Sequence, residues 1–219
     1  MQQDLLSWDT LKPGAVVTAK VLGVAGKGRL GAEEGYVSVL LNEFIKAKLF
    51  REHLQDIPPS RIPKKYNESK DARPLKVRII RIDKERKVVE VTRKPTILKA
   101  PISEIILEDG ATREALFKIR GKRIMGFVAA EVERDGRKEV LITFCGGKTI
   151  SVARDKVPES VLLQGKGALV QGTVEQLVLA SREFGGDETS GESATLRERI
   201  LERIEEEDGP VLESIQSKN

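Results

Sequence analysis

The chain has 219 residues, 39% hydrophobic and 33% charged, with 38 Lys and Arg against 34 Asp and Glu. That length suits two units of about 90 residues each, and no apolar run approaches the roughly 18 residues that would span a bilayer. One cysteine, Cys145, and one histidine, His53, allow neither an internal disulfide nor a four-ligand zinc site, so no metal, cofactor or membrane partner is expected. The start of the chain lacks a basic stretch followed by an apolar one, so no secretory signal is expected, and the lone cysteine fits a reducing compartment.

The small net charge of +4 hides an uneven distribution. Residues 1–100 carry 21 basic side chains against 12 acidic, and the remainder 17 against 22. A basic first half points to an anionic partner, most often a phosphate backbone. An ordinary solvated surface explains the same numbers, so charge alone does not decide.

In chain order, Leu11-Lys-Pro-Gly14 is a turn signal, and residues 16–24 form an apolar-rich run broken by Thr18 and Lys20, the pattern of a long strand. A glycine-rich turn over 26–35 leads to a second strand over 36–40. Residues 44–50 alternate apolar and basic side chains, the period of a half-buried strand. A short helical turn over 51–56 and a basic, proline-containing loop over 57–74 follow. Residues 75–82 place Val77 and Ile79 between Lys76, Arg78 and Arg81, a fourth strand. After a charged turn over 83–87, residues 88–92 make a fifth. Three strands, a short helix and two strands is the order of the OB fold, a five-stranded Greek-key barrel.

Residues 95–122 read as a connector with a candidate helix over 111–118. A second β-rich unit follows, with strands over 123–133, 139–145 and 148–153, a hairpin turn at Asp135-Gly136, helix or loop over 155–160, and one long or two short strands over 168–181. Its fifth strand is poorly marked, so this barrel is expected to be degenerate. Residues 185–193 have linker composition, and Leu196, Ile200, Leu201 and Ile204 recur at helical spacing beyond them. The tail, 182–219, carries 11 acidic and 5 basic residues and is expected to be an exposed amphipathic helix.

Gly26-Lys-Gly-Arg-Leu-Gly31 matches the spacing of a dinucleotide-binding loop. That chemistry needs the glycines to open a helix whose N-terminus receives the pyrophosphate. Here only Ala32, Glu33 and Glu34 precede Gly35 and the next strand, so no helix fits and two glutamates would repel phosphate. A flexible first loop carrying Lys27 and Arg29 is the better reading. In an OB barrel, strands two and three form the ligand face, flanked by the first and last loops. That arrangement gathers Lys27, Arg29, Tyr36, Lys46, Lys48 and Phe50, with Lys84, Arg86 and Lys87 from the last loop. Aromatic rings stack bases and lysines neutralise phosphates, a combination suited to single-stranded RNA. The competing reading places Tyr36 and Phe50 in the barrel core. In the second unit Phe127 and Phe144 lack such basic neighbours, and Phe127 is expected in the core. Cys145 and His53 fall in different predicted units with no orienting group, so they are not read as nucleophile and base. Asp83 is expected to cap the turn that follows it.

Residues 13–24, Gly35-Tyr36-Val37, Ile45-Lys-Ala-Lys-Leu49 and Lys76-Val-Arg-Ile-Ile-Arg-Ile-Asp83 resemble successive blocks of the S1 RNA-binding domain. The resemblance implies that Tyr36, Phe50, Asp83 and Lys87 shape an RNA site. Two positions depart from the family pattern: Ala47 replaces the usual glycine, and Phe50 stands where histidine is common. Val91-Thr-Arg-Lys-Pro-Thr-Ile-Leu98 with Pro101-Ile102, Gly126-Phe-Val128 and Phe144-Cys-Gly-Gly-Lys148 are similar to consecutive repeats of the eukaryotic multi-S1 ribosomal RNA biogenesis family. The likeness covers about residues 11–160. It implies a nucleolar, nuclear protein that binds single-stranded or precursor ribosomal RNA beside pre-ribosomal proteins, and a chain that is part of a longer repeat protein.

The expected fold is all-β: two S1-type OB barrels, the second degenerate, plus a C-terminal helix. The expected boundaries are 11–94, 95–122, 123–182 and 183–219. The expected function is a non-catalytic RNA-binding scaffold for ribosomal RNA processing and subunit assembly, not an enzyme. A protein–protein assembly module without RNA contact is the alternative. A third reading makes the barrels accessory to a nuclease or translation factor.

Overall fold

A computed structural model describes residues 6–26, 35–42, 44–66, 74–107, 121–134, 136–173, 176, 210 and 212–215. The chain is mostly β and divides into two units. The first holds β1 (Val16–Ala25), β2 (Tyr36–Leu41), β3 (Ile45–Phe50), β4 (Leu75–Asp83) and β5 (Val88–Thr92). These close into a barrel in the order β1-β2-β3-β5-β4, the arrangement of an OB fold. β1 serves two neighbours. Its first half, Val16 to Ala19, pairs with β4, and its second half, Ala19 to Ala25, pairs with β2. A register shift between Val21 and Gly23 bends the strand between the two, and Gly23 sits at φ +129°, where a side chain would be strained. The barrel closes where β3 meets β5 in parallel, with Lys48 opposite Glu90.

Period-two sequence makes the interior. β2 buries Val37, Val39 and Leu41; β3 buries Ile45, Ala47 and Leu49; β5 buries Val89 and Val91. Each larger aliphatic contributes about 1.5–3 kcal/mol on burial. Ala47 faces inward in this core, where its small side chain fits between larger neighbours.

β4 breaks the expected alternation. Arg78, read from the sequence as outward, is buried along with Val77, Ile79 and Ile80. The cause is the segment after β5, where α1 (Pro95–Lys99) lies against β4. Arg78 donates to the carbonyls of Ala100 (2.8 Å) and Leu98 (3.0 Å), satisfying the open C-terminal end of α1. Lys94, which precedes α1, is fully buried; its Nζ donates to the carbonyls of Gln55 and Asp56, the latter at 2.9 Å. The Asp56 carboxylate in turn accepts from Thr96 N–H (3.1 Å) and Oγ1 (2.9 Å). Residues 95–106 therefore belong to the first unit and not to a separate connector. Cys145 is grouped with the same unit, buried, and its thiol is pushed up to about 12 by that burial, against the opposing pull of the Arg78 guanidinium.

The second unit holds β6 (Arg123–Arg134), β7 (Arg137–Thr143), β8 (Thr149–Ala153), α2 (Glu159–Gln164), β9 (Leu169–Thr173) and β10 (Glu213–Ser214). The β6–β7 hairpin turns where expected, with Arg134 opposite Arg137 and Gly136 at φ +72°. The sheet runs β10-β9-β6-β7-β8. Counted within each unit, both sheets run fifth, fourth, first, second, third. They differ at one seam: the first unit joins its third and fifth strands, and no such pairing occurs here among the described residues. A five-stranded sheet, with no closing pair among the described residues, thus stands where a degenerate second barrel was expected. Its core gathers Ile124, Val140, Ile142, Phe144, Ile150, Val161 and Leu212. Gly126 leaves room for that packing, since a Cβ there would meet Ile142 Cγ2 at 2.7 Å.

Part of the tail, expected as an acidic linker and an exposed amphipathic helix over 183–219, joins this fold as a strand. Leu212 is buried in this core, Glu213 and Ser214 pair with Gln171 and Val170 of β9, and Glu213 forms an ion pair with Arg123. An apolar side chain followed by a strand edge gains more by burial than by exposure. The candidate helices over 111–118 and around 194–204, and Asp135, lie outside the described residues.

Burial lowers the Lys94 pKa from 10.5 to about 8, against the opposing pull of Asp56 and Glu52. Between those values the unfolded chain binds more protons at this group than the folded one, so folding stability from Lys94 rises as pH goes from about 8 to about 10.5. Urea unfolding near both ends of that window should show wild type gaining stability relative to Lys94→Met. Equal pH responses in the two proteins would refute it.

Candidate nucleic-acid interface

The alternation that sends β2 and β3 aliphatics inward sends Tyr36, Ser38 and Leu40 outward from β2, and Lys46, Lys48 and Phe50 outward from β3. Antiparallel register sets Tyr36 opposite Phe50, Ser38 opposite Lys48 and Leu40 opposite Lys46. Tyr36 and Phe50 are partly buried and meet edge to face, ring centroids 5.8 Å apart at 62°. Neither belongs to the core, which settles the question the sequence left open. Lys48 Nζ lies 5.1 Å from the Tyr36 ring centroid, within the range of a cation–π contact. The expected strip of aromatic and basic groups is thus assembled on one sheet face.

Gly26 explains how the Tyr36 ring lies where it does. A Cβ at this position would stand 2.9 Å from Tyr36 Cε1, and the backbone is at φ +79°. The ring packs over bare backbone that only glycine provides cheaply.

The strip has a boundary on its β5 side. Glu90 stands beside Lys48 across the seam and pairs with Arg81 at 3.7 Å. Positive charge on the face therefore comes chiefly from Lys46, which is exposed, and from Lys48. In the β4–β5 turn, Asp83 Oδ1 accepts from Arg86 N–H at 2.9 Å and Oδ2 pairs with Arg86 Nε at 3.8 Å. Asp83 caps the turn as expected. Arg86 is partly committed to it, while Lys84 and Lys87 are exposed. Lys27 and Arg29 lie outside the described residues.

One neighbour was missed by sequence reasoning. Lys87 Nζ lies 4.9 Å from the ring centroid of Trp8, which precedes the barrel and packs against its core. The available signals were that Trp8 is the chain's only tryptophan and sits within a Ser7-to-Thr10 turn.

In the second unit Phe127 and Phe144 are both buried, so neither offers a ring face to a ligand. The argument that separated Cys145 from His53 by unit does not hold, because Cys145 groups with the first unit. The raised pKa of the buried thiol now weighs against a nucleophilic role. Among the described residues no group of three His, Cys, Asp or Glu side chains is placed to hold a metal, and no helix is long and apolar enough to cross a membrane. No family model matches the chain, and no curated protein matches it at a significant level.

Gly26→Ala should lower stability by about 1–2 kcal/mol, the cost of a left-handed alanine, and should displace the Tyr36 ring. Urea unfolding reads the first effect and ring-proton chemical shifts of Tyr36 and Phe50 the second. Wild-type shifts in the variant would mean that Gly26 does not position the ring.

Proposed function

We propose that the chain is a non-catalytic RNA-binding scaffold of the S1 type, holding single-stranded RNA on the β2–β3 face of its first barrel. The observation that carries this reading is the Tyr36–Phe50 pair with Lys48 beside it, on the outward face of a closed OB-order barrel. Bases stacked on such rings contribute about 1–3 kcal/mol each. Lys46 and Lys48 sit where the phosphates of a strand lying along β3 would pass, and binding there releases condensed counterions. Unpaired bases are the suitable ligand, since a duplex hides their faces.

The second unit shares the strand order of the first and supports a degenerate S1-like assignment, with its phenylalanines spent on the core. Its role in this reading is spacing and protein contact. Work in ribosomal RNA processing and subunit assembly, with precursor ribosomal RNA and pre-ribosomal proteins as partners in the nucleolus, rests on the resemblance of residues 11–160 to multi-S1 repeats. One observation favours the second reading, a protein-assembly module without RNA contact: Leu163 on α2 is 80% exposed.

Anisotropy titration of a labelled single-stranded oligoribonucleotide at two salt concentrations separates these. Tyr36→Ala should weaken binding by about 1–3 kcal/mol. Lys46→Ala with Lys48→Ala should weaken it and reduce the slope of log K against log salt by roughly 1.4, at about 0.7 per phosphate contact. Wild type that fails to bind free RNA, or variants that bind as wild type does, would overturn the assignment.

A further inference from the structure

We propose that Trp8 and Lys87 form a second base-stacking station, taking a further nucleotide of the same single strand; this rests on the RNA-binding reading above. Three observations carry it. The first is construction: Lys87 lies over Trp8 at 4.9 Å much as Lys48 lies over Tyr36 at 5.1 Å. In both, a partly buried ring is backed by the barrel and fronted by a lysine. A third pair, Lys65 over Tyr66 at 5.4 Å, differs in kind. Tyr66 is buried, and its hydroxyl accepts from Arg93 at 2.9 Å, so that ring is a structural element.

The second observation is preorganisation. Trp8 sits in a turn tied at both ends: Ser7 N–H donates to Thr10 Oγ1 at 2.8 Å, and Leu11 N–H donates to Ser7 O at 3.0 Å. Leu11 is buried in the barrel core and anchors the segment. On the other side, Lys87 is held at φ +55°, a conformation that β-carbon sterics disfavour. The Asp83-capped turn maintains it. A ring and a cation fixed before binding spare the ligand the entropy of ordering them.

The third is placement. Lys48 is level with Glu90 across the parallel seam. Parallel strands advance in step, so carrying this register two residues back along each strand leads from Lys48 and Glu90 to Lys46 and Val88, the neighbour of Lys87. Running down the face, the order is therefore Phe50 with Tyr36, then Lys48, then Lys46, then Lys87 with Trp8. Phe50 to Lys46 spans about 13 Å of strand. A strand of several nucleotides can meet both aromatic stations, within the range of about 4–16 nucleotides known for OB folds.

The chemistry is an exchange of partners. A base stacking on Trp8 displaces Lys87 Nζ from the ring face, and the freed ammonium meets a phosphate. Asp9 and Glu85 are exposed nearby in sequence, so the station's contribution is chiefly stacking. Loss of the Trp8 ring alone, with Lys87 kept, should weaken binding with little change in salt dependence, unlike loss of Lys46 and Lys48.

The single tryptophan makes this directly readable. An oligouridylate of about ten nucleotides is titrated into the full chain, following anisotropy of a labelled strand and intrinsic emission of Trp8 in parallel. The expected result is quenching that saturates with the anisotropy change. Trp8→Ala should then bind at least about fivefold more weakly with an unchanged salt slope. Trp8→Phe, which keeps a ring and the packing beneath it, should bind within about twofold of wild type and guards against misfolding. Anisotropy that reports binding while Trp8 emission stays constant, or while Trp8→Ala binds as tightly as wild type, overturns this station and leaves the β2–β3 face intact. Absence of binding in the anisotropy channel overturns the RNA reading itself.

Discussion

The parallel seam between β3 and β5 is the constraint on which the first unit depends. Four of the five junctions in the barrel are antiparallel; this one brings together strands that lie forty residues apart in sequence and requires them to point the same way. Once Lys48 is level with Glu90, the pleat decides everything around it. A slip of one residue along β3 would drive Lys46, Lys48 and Phe50 into the interior and turn Ile45, Ala47 and Leu49 out to water. The same apolar set that fills the core therefore specifies the register that displays the aromatic and basic face. One register sets both the core and the displayed face.

Cations in this unit are used in two physically distinct ways. Lys94 and Arg78 are withdrawn from water and spend their donors on backbone carbonyls: those of Gln55 and Asp56 for one, Leu98 and Ala100 for the other. Both bind α1 and its flanks to the barrel, and the depressed pKa of Lys94 records the desolvation that this costs. Lys46, Lys48 and Lys87 keep their charged ends accessible, and two of them rest on aromatic faces. A total of basic residues cannot separate these uses. The excess of positive charge in the first hundred residues is thus only partly surface charge: Arg78 and Lys94 are buried, while Lys46, Lys84 and Lys87 are among those that stay exposed.

This division also explains what was legible beforehand. Apolar runs between turn signals placed the five strands of the first barrel, and period-two alternation gave the outward set of β3, because one face of that strand is buried and the other is not. Asp83 was readable as a cap because the interaction is local. Arg78 and Lys94 were not: Arg78 is buried by the covering segment and not by its own strand, and Lys94 lies in that segment; an arginine among isoleucines looks like ordinary alternation. Trp8 was missed for a similar reason, standing outside any periodic run and gaining its meaning from Lys87, far along the chain. The fifth strand of the second unit escaped because it is two residues long and separated from β9 by some forty residues. Among the described residues, so short a strand offers little edge for β8 to join.

Cys145 has a practical consequence. A buried thiol whose pKa is pushed up by that burial is poorly disposed to meet alkylating reagents or to exchange with dissolved disulfides. With that position chemically quiet, the protein is in effect a cysteine-free background. A cysteine introduced at an exposed site such as Lys84 would be the point that a maleimide dye or a spin label finds, so the β4–β5 turn can be labelled without first removing the native residue.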